Sequence, residues 1–243
     1  MDKVSPEEVQ RFIVQYDEIF GGRLSGFYNF PRVVTLTWFE KIVAALGIAE
    51  QDHVGVVSGS ADEPELKLLK PQRVTLLNFD NDPRYDLDLS WADQPGQNFS
   101  LTVCNQVLEH VFNPHQAFQN LIHHTREGGL IFVTIPAINC VHGEPNYYSA
   151  GYHPRFLARL ASANGLNLVG LSSWGSIKYM VHAVTGTWLS NSALRPGYQS
   201  VADFRFPGLV FSDGRKEDCE YARAMGFGSY VTDCWALYQK PPI

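Results

Sequence analysis

From Val54 onward, short apolar runs rich in β-branched residues alternate with segments whose apolar side chains recur every three or four positions. The runs are VGVV (54–57), RVTLLNF (73–79), FSLTVCN (99–105), LIFVTIP (130–136), NLVGLSSW (167–174) and YVTDCWALYQK (230–240). Between them, ELKLLK, VFNPHQAFQNLIHHTR and HPRFLARLASANG carry the helical spacing. Such alternation predicts βαβ units and an α/β fold, a mostly parallel sheet with helices on both faces. Strands that are apolar nearly throughout suit a sheet covered on both sides. Ahead of this region, Ser5-Pro6-Glu7-Glu8 combines a capping serine, a first-turn proline and carboxylates at the positive helix end. A helix is predicted from there to about Phe20, where Gly21-Gly22 stops it, and a second from Pro31 to Leu46, ended by Gly47. We divide the chain into an N-terminal helical lid (1–50) and an α/β domain (51–243). A structured insertion at about 175–229 is too long for a simple connection.

A length of 243 residues fits one such domain with an appendage, and 45% hydrophobic content is ample for its core. A net charge of −6, without any Lys/Arg run, argues against nucleic acid as partner and leaves a small-molecule substrate as the expectation. No apolar run reaches the ~20 residues of a membrane span, and the N-terminus lacks a signal-peptide core, so a cytoplasmic protein without a membrane partner is expected. A homodimer is left open. Cys104, Cys140, Cys219 and Cys234 show no metal-ligand spacing and read as reduced, mostly buried thiols.

In an open α/β sheet the ligand lies beyond the carboxyl ends of the strands, so the residues following each run carry the candidate chemistry. The first is Ser58-Gly59-Ser60, with a single glycine. The most specific stretch is NQVLEHV (105–111), set between an apolar run and a Gly128-Gly129 turn before LIFVTIP. This order, from Val54 to Leu171, resembles the small-molecule branch of the class I S-adenosylmethionine-dependent methyltransferases. The resemblance implies a Rossmann-like seven-stranded sheet whose last strand is antiparallel, with S-adenosyl-L-methionine as cofactor. It also implies site residues. Ser58, Gly59 and Ser60 would lie beneath the methionine part. Asn78, Phe79 and Asp80 would meet the ribose, and Asp88-Leu89 the adenine. Asn105 and Gln106 would meet the methionine end, with Leu108 covering the adenine or sulfonium side.

The chain departs from the family's pattern at the first turn. Val56 stands where an acidic residue is usual, and Ser58, Ser60 and Asp62 where glycines fall. Serine in a left-handed conformation costs ~1 kcal/mol, so a reshaped cofactor turn is expected. With an activated methyl donor the protein must position the acceptor and remove its proton, and histidine suits the second task. His110, His142, His153 and Tyr148 are the candidate catalytic residues, the last three in the acceptor-side segment VHGEPNYYSAGYHPRFL. His123-His124 reads as structural. A metal role for Glu109, His110 and His115 fails on spacing, and GSADEPE lacks the Lys-Ser/Thr ending of a phosphate loop. Methyl transfer to an oxygen of a sugar, nucleotide-linked or phosphorylated metabolite is expected, on acceptor-side arginines at 155, 195, 205 and 215. The alternative is a methyltransferase-like scaffold that has lost its chemistry and serves as a binding or partner subunit.

Overall fold

The computed structural model describes residues 4–22, 30–77, 96–139, 146–176, 209–211 and 231–242. Two N-terminal helices, α1 (Pro6–Tyr16) and α2 (Phe30–Leu46), precede β1 (Glu50–Val57), α3 (Pro64–Leu68) and β2 (Lys70–Leu77). The chain continues with β3 (Phe99–Asn105), a 3-10 turn (Leu108–His110), α4 (Pro114–His124) and β4 (Thr125–Pro136). It ends with α5 (Pro154–Ala163), β5 (Asn167–Ser176), β6 (Leu209–Phe211) and β7 (Asp233–Gln239).

The strands form one seven-stranded sheet in the order β2-β1-β3-β4-β7-β5-β6. Strands β1 to β4 pair in parallel with one another, whereas β7 runs antiparallel to both β4 and β5. All six expected strands are present, and β6 is a short edge piece inside the predicted insertion. Helices cover both faces. On one, α1 and α2, expected as a lid, bring Phe12, Trp38, Phe39 and Ile42 into a core with Val54, Val103, Phe132 and Trp235. Trp38 stacks on Phe132 with ring centroids 6.2 Å apart and meets the Trp235 ring edgewise at 6.3 Å. On the other face, α4 and α5 contribute Ala117, Phe118, Leu121, Leu157 and Leu160, and the Tyr238 hydroxyl donates to the Leu157 carbonyl at 3.0 Å.

Local signals set most boundaries. At α1 the capping box is complete: the Ser5 hydroxyl accepts from Glu8 N–H, and the Glu8 carboxylate accepts from Ser5 N–H at 2.7 Å. The helix ends at Tyr16, short of Phe20, and its last residues unwind through turns into left-handed Gly21 and Gly22. The helical run VFNPHQAFQNLIHHTR follows a 3-10 turn after β3 and is not helical from its first residue. The true start is Asn113-Pro114, where the Asn113 side chain accepts from Gln116 N–H at 3.1 Å. Gly128-Gly129 is not a turn ahead of β4. The strand begins at Thr125, paired with Phe99, and the glycines form an irregularity before pairing resumes at Leu101 and Leu130. Gly128 has φ +72°, which a side chain would strain. Cys104 and Cys234 are free and buried, while Cys140 and Cys219 lie outside the described residues.

Candidate functional site

From β1 the chain moves through α3 to β2 on one side, and from β3 it moves through α4 to β4 on the other. Right-handed crossovers in opposite directions put α3 and α4 on opposite faces, which opens a crevice at the carboxyl ends of β1 and β3. Val57 is paired with Cys104, so the next residues, Ser58 and Asn105, face each other across this switch point.

Both lips bend sharply. Ser58 has φ +50° and Gln106 φ +53°, left-handed conformations held by non-glycine residues. Each is pinned before it turns: Ser58 N–H donates to Leu77 O and Gln106 N–H to Thr134 O, both at 2.9 Å. Gly59, the glycine of the turn, serves close packing. A Cβ there would lie 2.6 Å from Val56 Cγ1 and 3.0 Å from both Cγ and Oε1 of Glu63. The Glu63 side chain is thus folded back across the turn. Ser60 is exposed, and its hydroxyl accepts from Asp62 N–H at 3.2 Å.

Above the crevice the first turn of α2 supplies Arg32. Its Nη2 donates to Glu63 Oε2 at 2.9 Å and to Glu65 Oε2 at 2.8 Å. Glu65 is fully buried and its Oε1 has no hydrogen-bond partner among the described residues. Burial pushes the Glu65 carboxyl above its ordinary range, with Arg32 opposing and Glu63 reinforcing the shift. On the β3 lip, Asn105 Nδ2 is likewise buried without a partner, while Gln106 Nε2 donates to Asp233 Oδ1 at 3.1 Å and to Thr134 Oγ1 at 3.3 Å. Burial raises Asp233 to about 7, against the lowering effects of Gln106 and Arg32.

The 3-10 turn holds the second group of polar side chains. Glu109 is fully buried, with neither carboxylate oxygen hydrogen-bonded among the described residues. Burial lifts it to about 8, helped by the negative charge of Asp233. Its carbonyl accepts from the backbone N–H groups of Tyr148 (2.9 Å) and Ser149 (3.2 Å), which fastens the acceptor-side segment onto this turn. His110 Nδ1 lies 2.6 Å from the Asn146 carbonyl, and its Nε2 lies 3.9 Å from Glu109 Oε1.

Of the expected site residues, Ser58, Gly59, Ser60, Asn105 and Gln106 line the crevice and His110 stands beside it. Leu108 is fully buried in the α4–α5 core, where it packs against other apolar side chains. His153 is exposed and caps α5, its Nδ1 accepting from Arg155 N–H at 3.1 Å. Tyr148 is half-exposed and meets Phe112 edgewise. His124 is buried, and its Nδ1 accepts from Gln97 N–H. Asn78, Phe79, Asp80, Asp88, Leu89 and His142 lie outside the described residues.

Sequence reasoning missed Arg32, Glu63, Glu65 and Asp233. Only Asp233 left a visible signal, an acid inside an otherwise apolar run, where a charge has to be accommodated by the fold. The Arg32 contacts join positions more than thirty residues apart and have no local pattern.

No curated protein matches the chain in sequence. Among solved structures, a protein from Galdieria sulphuraria assigned as a sarcosine dimethylglycine methyltransferase superimposes with a TM-score of 0.51 at 15% identity, covering 96% of this chain and 98% of the other. The N-methyltransferase NodS from Bradyrhizobium japonicum, solved with S-adenosyl-L-homocysteine, gives 0.47 at 14% identity over 97% and 98%. At 15% identity the first of these likenesses speaks for the fold alone. A family model described as a methyltransferase domain matches residues 33–171, more than half the chain and the part that builds the crevice. The chain therefore belongs to the class I S-adenosylmethionine-dependent methyltransferase family.

Proposed function

We propose that the protein transfers a methyl group from S-adenosylmethionine to an oxygen of a small-molecule acceptor, in the class of sugars, nucleotide-linked sugars or phosphorylated metabolites. The residues at the switch point fit the cofactor. A backbone turn tightened around Gly59 and the buried Asn105 Nδ2, without a partner among the described residues, offer close approach and a hydrogen-bond donor. Ser58, Gly59, Ser60, Asn105 and Gln106 would hold its amino-acid end. When bound, it supplies a methyl group already activated on a sulfonium, which leaves the protein to position the acceptor and take its proton.

The observation that carries the oxygen reading is the fixed tautomer of His110. A backbone carbonyl can only accept, so the 2.6 Å contact with Asn146 O requires a proton on Nδ1. In the neutral ring Nε2 then carries the lone pair. His110 lies on the 3-10 turn that follows the β3 lip of Asn105 and Gln106. Proton removal is what an oxygen acceptor demands of the protein. Arg155, exposed on the first turn of α5, adds a cation on the acceptor side, in keeping with an anionic substrate.

The test has two stages. Calorimetry with S-adenosylmethionine should show binding; no heat at millimolar ligand would point instead to a scaffold without chemistry. A panel of hydroxylated and phosphorylated metabolites, followed by mass spectrometry, should then yield a methyl ether or ester. His110→Gln should keep cofactor affinity and lose ~10²–10⁴-fold in turnover, the usual contribution of a general base. Full turnover by that variant, or N-methylated products alone, would overturn the oxygen reading.

A further inference from the structure

Among the described residues, the ion network at the crevice gathers three carboxyls around one guanidinium. Arg32 faces two carboxylates, Glu63 and Glu65, through a single nitrogen, Nη2, at 2.9 and 2.8 Å. A third carboxyl, Asp233, is close enough to feel its charge. Side-chain exposure is 14% for Arg32, 21% for Glu63 and zero for Glu65, so water does little to screen the interactions among them. Glu65 Oε1, buried and without a partner among the described residues, faces this cluster. Unsatisfied buried carboxylate oxygens are costly unless something completes them. A ligand that brings a hydrogen-bond donor would complete it.

Its position narrows the ligand. Glu63 Oε1 and Cγ lie 3.0 Å from the point where a Cβ on Gly59 would stand, so this carboxylate rests directly on the turn between Ser58 and Ser60. Across the crevice, Asn105 Nδ2 is a buried donor without a partner among the described residues. A site with a carboxylate and a guanidinium on one lip and an amide donor on the other complements a group bearing an ammonium and a carboxylate on one carbon. We infer that Glu63, steadied by Arg32, receives the ammonium of the cofactor's amino-acid end, with Arg32 and Asn105 Nδ2 facing its carboxylate. The strand itself offers nothing for this task, because Val56 is an apolar residue buried in the α1–α2 core. The acid comes instead from the far side of the turn, and Gly59 is there because only glycine leaves room for it.

This inference rests on the methyltransferase reading, and the experiment separates the two. S-adenosylhomocysteine and 5′-methylthioadenosine share adenosine and a thioether, and only the first has an amino-acid end. Calorimetry on the full chain should show the first binding at least about tenfold more tightly than the second, and Glu63→Gln should reduce that gap to roughly twofold while leaving methylthioadenosine unchanged. Glu63→Asp, which keeps the charge but withdraws it, should fall between them, and thermal melts of all three proteins confirm that they fold. A gap that persists in Glu63→Gln overturns the inference and leaves the methyltransferase reading standing. Tighter binding in that variant overturns it too, since Glu63 would then be a plug. Heat from free methionine without any from the nucleosides would assign the site to an amino-acid substrate and also overturn it. If wild type binds neither nucleoside, both readings fall.

Discussion

Ser58 holds φ +50° although it has a side chain, and the reason lies in its bonding. Its N–H is committed to Leu77 O, so the strand ladder runs one residue past Val57 and the reversal falls on Ser58. The conformation costs serine ~1 kcal/mol, so Ser58→Gly should be neutral to stabilising by up to ~1 kcal/mol, while Ser58→Val should cost ~1–2 kcal/mol; urea melts decide. A Ser58→Val protein as stable as wild type would mean that the turn relaxes to negative φ. Glu109 poses the opposite problem, a side chain in the wrong medium. Burial raises its carboxyl to about 8 from an ordinary value near 4.5, and the neighbouring Asp233 charge adds to this. The folded state therefore holds the Glu109 proton more tightly than the unfolded chain does. That contribution to stability is fully present below the unfolded value and is lost as pH rises through about 8. Wild type should accordingly lose stability between pH ~5 and ~9, by an amount on the order of a few kcal/mol. Glu109→Gln, which cannot ionise, should melt close to wild type at the acid end and clearly above it at the alkaline end. Parallel melting curves for the two proteins across that range would show that the Glu109 charge is solvated after all.

At the scale of elements, what the chain announces and what it conceals divide by range. The strands, α2, its Gly47 stop and the Ser5 capping box were legible because each is written in consecutive residues: β-branched runs, a left-handed glycine, a serine three residues before a glutamate. The missed start of α4 was equally local. Asn113-Pro114 is a cap followed by a first-turn proline, inside a run read as helical from Val111. The crevice was legible only on its backbone side, at Ser58–Ser60 and Asn105-Gln106, because strand ends can be counted. Arg32, Glu63 and Asp233 come together through the crossing of α2 over the sheet, which no spacing encodes. That crossing depends on Gly170 in β5. A Cβ there would come within 2.8 Å of the Trp38 ring and 2.9 Å of Ile42 Cδ1. Trp38 is itself wedged against Phe132 and Trp235 and cannot retreat. Gly170→Ala should therefore push α2 off the sheet and cost ~1–3 kcal/mol. It should also weaken S-adenosylhomocysteine binding, because Arg32 travels with the helix. Unchanged affinity in a destabilised Gly170→Ala protein would uncouple α2 from the crevice.

For the whole molecule, the decisive strand is β7, late in sequence and central in space. It pairs with β4 from Leu130–Gln239 to Pro136–Asp233 and with β5 from Asn167–Gln239 to Trp174–Asp233. The residues Cys234 to Tyr238 are all fully buried, with Trp235 and Leu237 turned to the α1–α2 core and Cys234, Ala236 and Tyr238 to the α4–α5 core. Its first residue, Asp233, reaches Gln106 at the crevice. One strand thus joins the two halves of the sheet, seals both cores and touches the site. Neither core can close before it arrives, and contacts of such long sequence separation form late because loop closure must come first. A chain ending at residue 230 should therefore show no cooperative urea transition and should leave Trp38 and Trp174 open to solvent, as read by tryptophan quenching. Within the full chain, Trp235→Ala should cost ~3–5 kcal/mol, the range for emptying a large buried aromatic site. It should destabilise both faces together, so that amide exchange in α2 and in α5 accelerates by similar factors. Exchange that speeds up in α2 alone would mean that the two cores fold as separate units, with β7 serving only as the wall between them.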